Sequence, residues 1–223
     1  MMYRALLTDV GNVIAPFFLD RFTRHLSELV ELPAAEVDRR LYQEMSGAFS
    51  VGSQGCQGIH RGILTGEVKP DDYFAEVQRR LGSNLHPTLF WYAFREVFEP
   101  NRRLVGLWER LRREGKVGRI VLVTDADPVR LEWALRMTGF KPDAVVASFD
   151  VGRLKPDESM FRQALHLAGA GPQDCLFVDD LTENVQAARE LGIESVQYLY
   201  PRVELDAATD ILINEFRHLG LVD

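Results

Sequence analysis

Ala5-Leu6-Leu7-Thr8-Asp9-Val10-Gly11-Asn12-Val13-Ile14 is the stretch whose reading decides the fold. Apolar residues dominate it, an acid interrupts it, and a Gly-Asn pair follows the acid. A short apolar run bounded by turn residues reads as a buried strand that delivers Asp9 to the point where the backbone leaves the sheet. A carboxylate placed there is costly unless a cation, a metal or hydrogen bonds hold it. Taken alone, Asp9 serves equally well as a helix N-cap or turn aspartate, so its meaning depends on the rest of the chain.

The second half repeats the theme. From Asn101 onward, helical and strand patterns alternate. A helix carrying Leu104, Leu107 and Leu111 stops at Gly115, and a strand follows at Arg119–Thr124. A helix over Pro128–Met137 ends at Gly139, ahead of a strand at Ala144–Ala147. A helix over Asp157–Leu167 leads to the strand Cys175–Val178, and a helix over Glu183–Leu191 stops at Gly192 before a last strand at Glu194–Leu199. With the first strand added, about five strands alternate with helices, which argues for a parallel sheet covered on both faces.

Between these two regions the texture is helical. Apolar residues at 18, 19, 22, 26, 29 and 30 have helical spacing, and a second helix starting near Pro33 carries Val37, Leu41 and Met45. Pro70 suits a first helical position, followed by Phe74, Val77 and Leu81, and an aromatic helix runs from Pro87 to Phe98. The glycine-rich residues 46–58 read as a loop. Their G-x-x-G-x-x-G spacing fits neither a dinucleotide fingerprint nor a phosphate loop. The expected architecture is α/β: a Rossmann-like three-layer core from residues 1–15 and 93–223, with residues 16–92 inserted as a small all-helical domain.

Composition narrows the function. The 26 basic and 33 acidic residues leave a net charge of −7 with no basic block, which argues against nucleic acid or anionic membrane as partners. Cys56 and Cys175 form neither a metal pair nor a disulfide scaffold, so a reduced, cytoplasmic setting is the simplest expectation. No apolar run reaches the length of a membrane span. The oligomeric state is not readable.

In an open parallel sheet, ligands bind at the carboxyl ends of the strands. What leaves those ends here is Asp9, then Thr124-Asp125, then Asp179-Asp180. Three strand-end carboxylate groups repel one another unless a cation lies among them. Oxygen ligands without a histidine cluster suit Mg²⁺. Asp179-Asp180 as an N-cap pair is the competing reading. Lys-Pro-Asp occurs at 69, 141 and 155; each is compatible with a surface turn, and only Lys155 lies between the third and fourth strands.

Asp9-x-Gly11-Asn12-Val13, Val123-Thr124-Asp125, Gly152-Arg153-Leu154-Lys155-Pro156-Asp157 and Phe177-Val178-Asp179-Asp180-Leu181-Thr182-Glu183-Asn184 together resemble the four ordered motifs of the haloacid dehalogenase superfamily. The opening most resembles the branch containing α-D-glucose-1-phosphate phosphatase, related to the N-terminal domain of soluble epoxide hydrolase. The resemblance implies a Rossmann-like core with a helical cap that closes over the site. It also implies a phosphatase acting on a small phosphorylated metabolite, such as a sugar phosphate. Asp9 would be the nucleophile, Thr124 would hydrogen-bond the phosphate, and Lys155 would neutralise charge. Asp9, the Gly11 carbonyl, Asp179 and Asp180 would hold Mg²⁺. Gly11, Asn12, Thr124, Asp125 and Lys155 would line the phosphate site.

Two departures stand out. Most phosphatases of the superfamily carry a second Asp at the position of Gly11, and losing a general acid/base costs about 10²–10⁴ in rate. Asp125 replaces the Asn common in this branch, and beside a phosphate it must be protonated, turned away, or substituting for the missing acid. Two alternatives therefore stand beside the phosphatase: a catalytically weak or inactive binder of a phosphometabolite or protein partner, and a metal-independent carbon–halogen hydrolase, against which Asp179-Asp180 argues. In the inserted domain, Phe17, Tyr42, Met45, His60 and Arg61 either face the site or serve as packing and surface.

Overall fold

The computed structural model describes residues 3–43 and 58–223. Met45 and all but the last residue of the glycine-rich loop lie outside the described residues.

Strand β1 (Tyr3–Thr8) is buried throughout except at Arg4. Alternation sends its side chains to opposite faces. Leu6 packs with Trp108, Ile120, Leu122 and Phe216 in one core, whereas Ala5 and Leu7 join Val121, Val123, Phe161 and Phe177 in another. A strand buried on both sides needs helices on both sides, and this accounts for the unbroken apolar run. The partners are β2 (Val117–Thr124), β3 (Ala144–Ala147), β4 (Cys175–Asp179) and β5 (Glu194–Gln197), in the order β3-β2-β1-β4-β5. Every pairing is parallel, and Thr8 aligns with Leu122 on one side and Val178 on the other. The chain moves outward in one direction from β1 to β3 and in the other from β4 to β5. The crevice beside β1 is therefore the switch point at which such sheets bind ligands, and Asp9 leaves the sheet there.

Eleven α-helices accompany the strands among the described residues. In the first block are α1 (Leu19–Val30), α2 (Ala34–Asp38, continuing as a π turn over Arg39–Gln43), α3 (Gly58–Leu64), α4 (Pro70–Leu81) and α5 (Pro87–Arg95). The remaining six are α6 (Arg102–Arg113), α7 (Pro128–Thr138), α8 (Ser148–Val151), α9 (Glu158–Ala168), α10 (Thr182–Glu190) and α11 (Leu205–His218). Proline at the first turn of α4, α5 and α7 sets the backbone for a helix without losing a needed donor. Gly139, at φ 68°, ends α7 in the left-handed conformation that glycine adopts most cheaply.

Helices α1–α5 bury a third core of their own, rich in rings: Phe22, Tyr73, Phe90 and Phe94. Two antiparallel crossings join this block to the sheet. The Phe18 amide donates to the Val97 carbonyl at 2.7 Å, the Glu99 amide to Pro16 at 3.1 Å, and the Asn101 amide to Ile14 at 2.9 Å. Phe17 and Phe98 face each other across this neck, with ring centroids 5.3 Å apart.

The described elements differ from the sequence reading at their ends. The aromatic helix stops at Arg95, three residues short of Phe98, because Val97 and Phe98 are drawn into the neck. The last strand ends at Gln197, where the Tyr198 amide turns to the Asp179 carbonyl at 2.9 Å. Helix α11 has no counterpart in the sequence reading, although Ala208, Leu212 and Phe216 bury one face at four-residue spacing. No described helix is long and apolar enough to cross a membrane.

Candidate active site

Asp9 follows β1 directly and keeps its backbone in register, donating its amide to the Val178 carbonyl at 3.0 Å. Its Oδ1 accepts from the Val10 amide at 2.7 Å. Asp179 ends β4 and is completely buried; its Oδ1 accepts from the Leu181 amide and from Asn184 Nδ2, both at 2.9 Å. Asp180 follows, and its Oδ2 accepts from Asn12 Nδ2 at 3.0 Å. One carboxylate oxygen from each of Asp9, Asp179 and Asp180 lies within 4.8 Å of the others. Neither member of the Asp179-Asp180 pair is the N-cap of α10, because that position is Leu181 and no side chain bonds there as a cap.

The lysine is placed unambiguously. Lys155 is 1% exposed, with Nζ 2.6 Å from Asp179 Oδ2 and 3.0 Å from Asp9 Oδ1. Lys69 and Lys141 are exposed. Asp157, from the same Lys-Pro-Asp, starts α9 by accepting from the Ser159 amide at 2.9 Å. The tripeptide therefore divides its work between the site and the helix.

Asp125 Oδ1 accepts from the Lys155 amide at 2.9 Å. This ties the second strand's end to the loop that carries the lysine. Asn12, in the left-handed region at φ 55°, spends both ends of its amide on the protein: Nδ2 on Asp180, and Oδ1 on the Phe17 amide at 3.2 Å. It thus links an acidic residue of the site to the neck. At Gly11 a Cβ would meet no atom within 4 Å, so the position can take a side chain.

Asp9, Gly11, Asn12, Asp125, Lys155 and Asp180 line a cavity of about 340 Å³, together with Thr124, Asn184 and a set of residues that the sequence reading does not single out. Among the latter, Arg130 stands over the Phe94 ring at 3.7 Å and donates Nε to the Phe94 carbonyl at 3.1 Å. Asp127, fully buried, accepts from the Arg130 amide at 2.8 Å as the cap of α7. An Asp-Pro at a helix start was the available signal for Asp127; nothing local marks Arg130. Of the residues considered in the helical block, Phe17 lines the cavity. His60 is held inside the block, its Nδ1 2.9 Å from the Tyr73 hydroxyl and its ring stacked on Tyr42 at 5.0 Å. Arg61 is exposed.

A haloacid dehalogenase-like hydrolase family model matches residues 7–192, which run from the end of β1 through the helical block and all four motifs. The chain belongs to the haloacid dehalogenase-like hydrolase family. A drimenol cyclase of Aspergillus calidoustus is 41% identical over 209 residues, covering 88% of this chain but 34% of the longer relative. A HAD-like family hydrolase of Porphyromonas gingivalis superposes with a TM-score of 0.72 at 21% identity, covering 95% of this chain and 98% of its own. A HAD family enzyme of Bacteroides thetaiotaomicron, crystallised with magnesium and inorganic phosphate, gives 0.69 at 19% identity and covers 88% and 94%.

Charge in the site is unbalanced. Four carboxyl groups surround one ammonium. Burial pushes Asp9 from 3.8 up to about 7; Lys155 opposes the rise, and Asp179 and Asp125 add to it. Burial, then the charges of Asp179 and Asp9, push Asp180 from 3.8 up to about 8. Burial works against the Lys155 ammonium, but Asp179, Asp9 and Asp125 outweigh it and hold the group above its ordinary value. The protein alone therefore favours partial protonation of its acids. A divalent cation among their oxygens reverses that preference.

Proposed function

We propose that this hydrolase is a Mg²⁺-dependent phosphatase that cleaves small phosphomonoesters through an aspartyl-phosphate on Asp9. The observation that carries the reading is the convergence of Asp9, Asp179 and Asp180 oxygens within 4.8 Å, with Lys155 bridging Asp9 and Asp179. All donors are hard oxygens, which fits Mg²⁺ held by Asp9, Asp180, Asp179 and the Gly11 carbonyl. Bound there, the ion would neutralise phosphate charge and orient the ester.

An Asp9 carboxylate oxygen attacks phosphorus, the ester P–O bond breaks, and the alcohol leaves with a proton taken from solvent. Water then attacks the aspartyl-phosphate, releasing inorganic phosphate and restoring Asp9. Lys155 stabilises charge on the nucleophile and the transferring group, and the Thr124 hydroxyl hydrogen-bonds a phosphate oxygen. The described helices α1–α5 act as the cap, limiting water and shaping the alcohol subsite.

Support from relatives is of the same kind: the Bacteroides enzyme is crystallised with magnesium and phosphate. Gly11 favours slow turnover as a second reading, since no side chain at that position can protonate the leaving oxygen. The deciding experiment is phosphate release from a panel of sugar and aryl phosphates, with Mg²⁺ and with EDTA. Turnover that requires Mg²⁺ and disappears in Asp9→Asn is the expected result; unchanged activity in that variant would refute the nucleophile.

A further inference from the structure

We propose that the alcohol subsite of this hydrolase selects phosphate esters of compact apolar alcohols, alkyl or aryl, over sugar phosphates. The proposal rests on the phosphatase reading above for the phosphate end and on the cavity wall for the rest. As bounded by the described residues, the cavity is about 340 Å³, within the range of small-molecule sites. Beyond Asp9, Thr124, Asp125, Lys155 and Asp180, its lining is dominated by Phe17, Leu19, Leu64, Phe98, Leu131 and Leu181.

The other polar residues that line it spend most of their hydrogen-bonding groups on the protein, and only two buried acceptors, Asp127 Oδ2 and Asn184 Oδ1, lack a hydrogen-bond partner among the described residues. Asn12 uses its amide nitrogen on Asp180 and its amide oxygen on Phe17. Asp127 is fully buried and caps α7. Arg130 is bonded to the Phe94 carbonyl and stacked on its ring, and the Asn184 amide nitrogen is spent on Asp179. A sugar ring would bring several hydroxyl groups against this wall. Each buried hydroxyl without a partner is disfavoured, by about tenfold to a hundredfold. An alkyl or aryl group gains from the same surface in proportion to the apolar area it covers.

The wall also has a reason to be firm. Phe17 and Phe98 belong to the two crossings of the neck and are fixed by its backbone hydrogen bonds, so the aromatic surface is positioned before any ligand enters. A preformed apolar wall loses little freedom on binding.

The test compares kcat/KM with Mg²⁺ for benzyl phosphate and glucose 6-phosphate, both esters of primary alcohols, with α-glucose 1-phosphate as a third substrate. Benzyl phosphate is expected to be favoured by at least about 100-fold over either sugar. Leu64→Asn, which places an amide in the half-buried wall, is expected to lower the benzyl phosphate value and narrow the ratio. A sugar phosphate turned over as well as benzyl phosphate overturns the proposal and leaves the phosphatase reading intact. If none of the three is hydrolysed, the phosphatase reading fails, and calorimetric binding to Asp9→Asn with Mg²⁺ decides the wall preference. Benzyl phosphate binding at least about tenfold tighter than glucose 6-phosphate supports it; equal affinity sinks it.

Discussion

Replacing Lys155 with Met keeps the length of the side chain and removes its charge. In the native site the ammonium is buried between Asp9 and Asp179, at 3.0 and 2.6 Å. Removing one partner of a buried ion pair leaves charge uncompensated and typically costs about 3–5 kcal/mol. For a chain of this size each kcal/mol lowers Tm by about 2–4 °C, so Lys155→Met should melt about 6–20 °C below the wild type in EDTA. The deficit has a pH signature. Carboxyl groups without the ammonium escape the penalty by taking up protons, so the loss should be larger at pH 8 than at pH 5.5. Mg²⁺ should recover part of it by supplying positive charge to the same oxygens, while phosphatase activity stays lost. The assay is a set of thermal melts at both pH values, with EDTA and with Mg²⁺, beside Lys69→Ala and Lys141→Ala. Those exposed lysines should leave both melting and turnover near wild type. A Lys155→Met protein that melts within about 2 °C of wild type at pH 8 in EDTA would refute the electrostatic account.

Mg²⁺ should stabilise the wild-type chain more as pH rises. Asp9 and Asp180, raised from 3.8 to about 7 and about 8 in the metal-free protein, cost stability that is absent below the unfolded value and grows as pH climbs through the folded ones. The Mg²⁺-induced gain in Tm should therefore be small at pH 5 and large at pH 8.5; a gain independent of pH would contradict the assignment. Gly11→Asp should be accommodated, since the position is open and not at positive φ. It should raise kcat by tenfold or more, towards the ~10²–10⁴ expected of a general acid/base; a folded variant with unchanged kcat would show that the leaving alcohol needs no acid. Asn12→Ala frees Asp180 from its amide donor and should weaken Mg²⁺ binding by about 10–100-fold in a titration, with Asp180 still present.

Much of this molecule is written locally. The apolar run before Asp9 marks a strand buried on both faces, because alternation alone would have left one face polar. Helix starts at Pro70, Pro87 and Pro128, and the stop at Gly139, are backbone preferences that hold whatever surrounds them. The ordered motifs place acids at strand ends, and a parallel sheet sends those ends to one side. From there the meeting of Asp9, Asp179 and Asp180 follows from topology.

The three-dimensional fold decided the matters that depend on distant contacts. Three Lys-Pro-Asp tripeptides are indistinguishable as strings, and burial between two carboxylates selects Lys155. The resemblance puts Asn12 at the phosphate site; only the fold shows that its amide bonds Asp180, 168 positions away, and Phe17 at the neck. Asp125 is turned to the Lys155 backbone by a loop 30 positions further on. The cavity wall draws Phe17, Leu64, Phe98, Leu131 and Leu181 from separate elements, and none differs in its own neighbourhood from an ordinary packing residue. Backbone propensity and periodicity act over a few residues and can be read along the chain. Burial and charge compensation are set by what folding brings alongside, and only the assembled site reveals them.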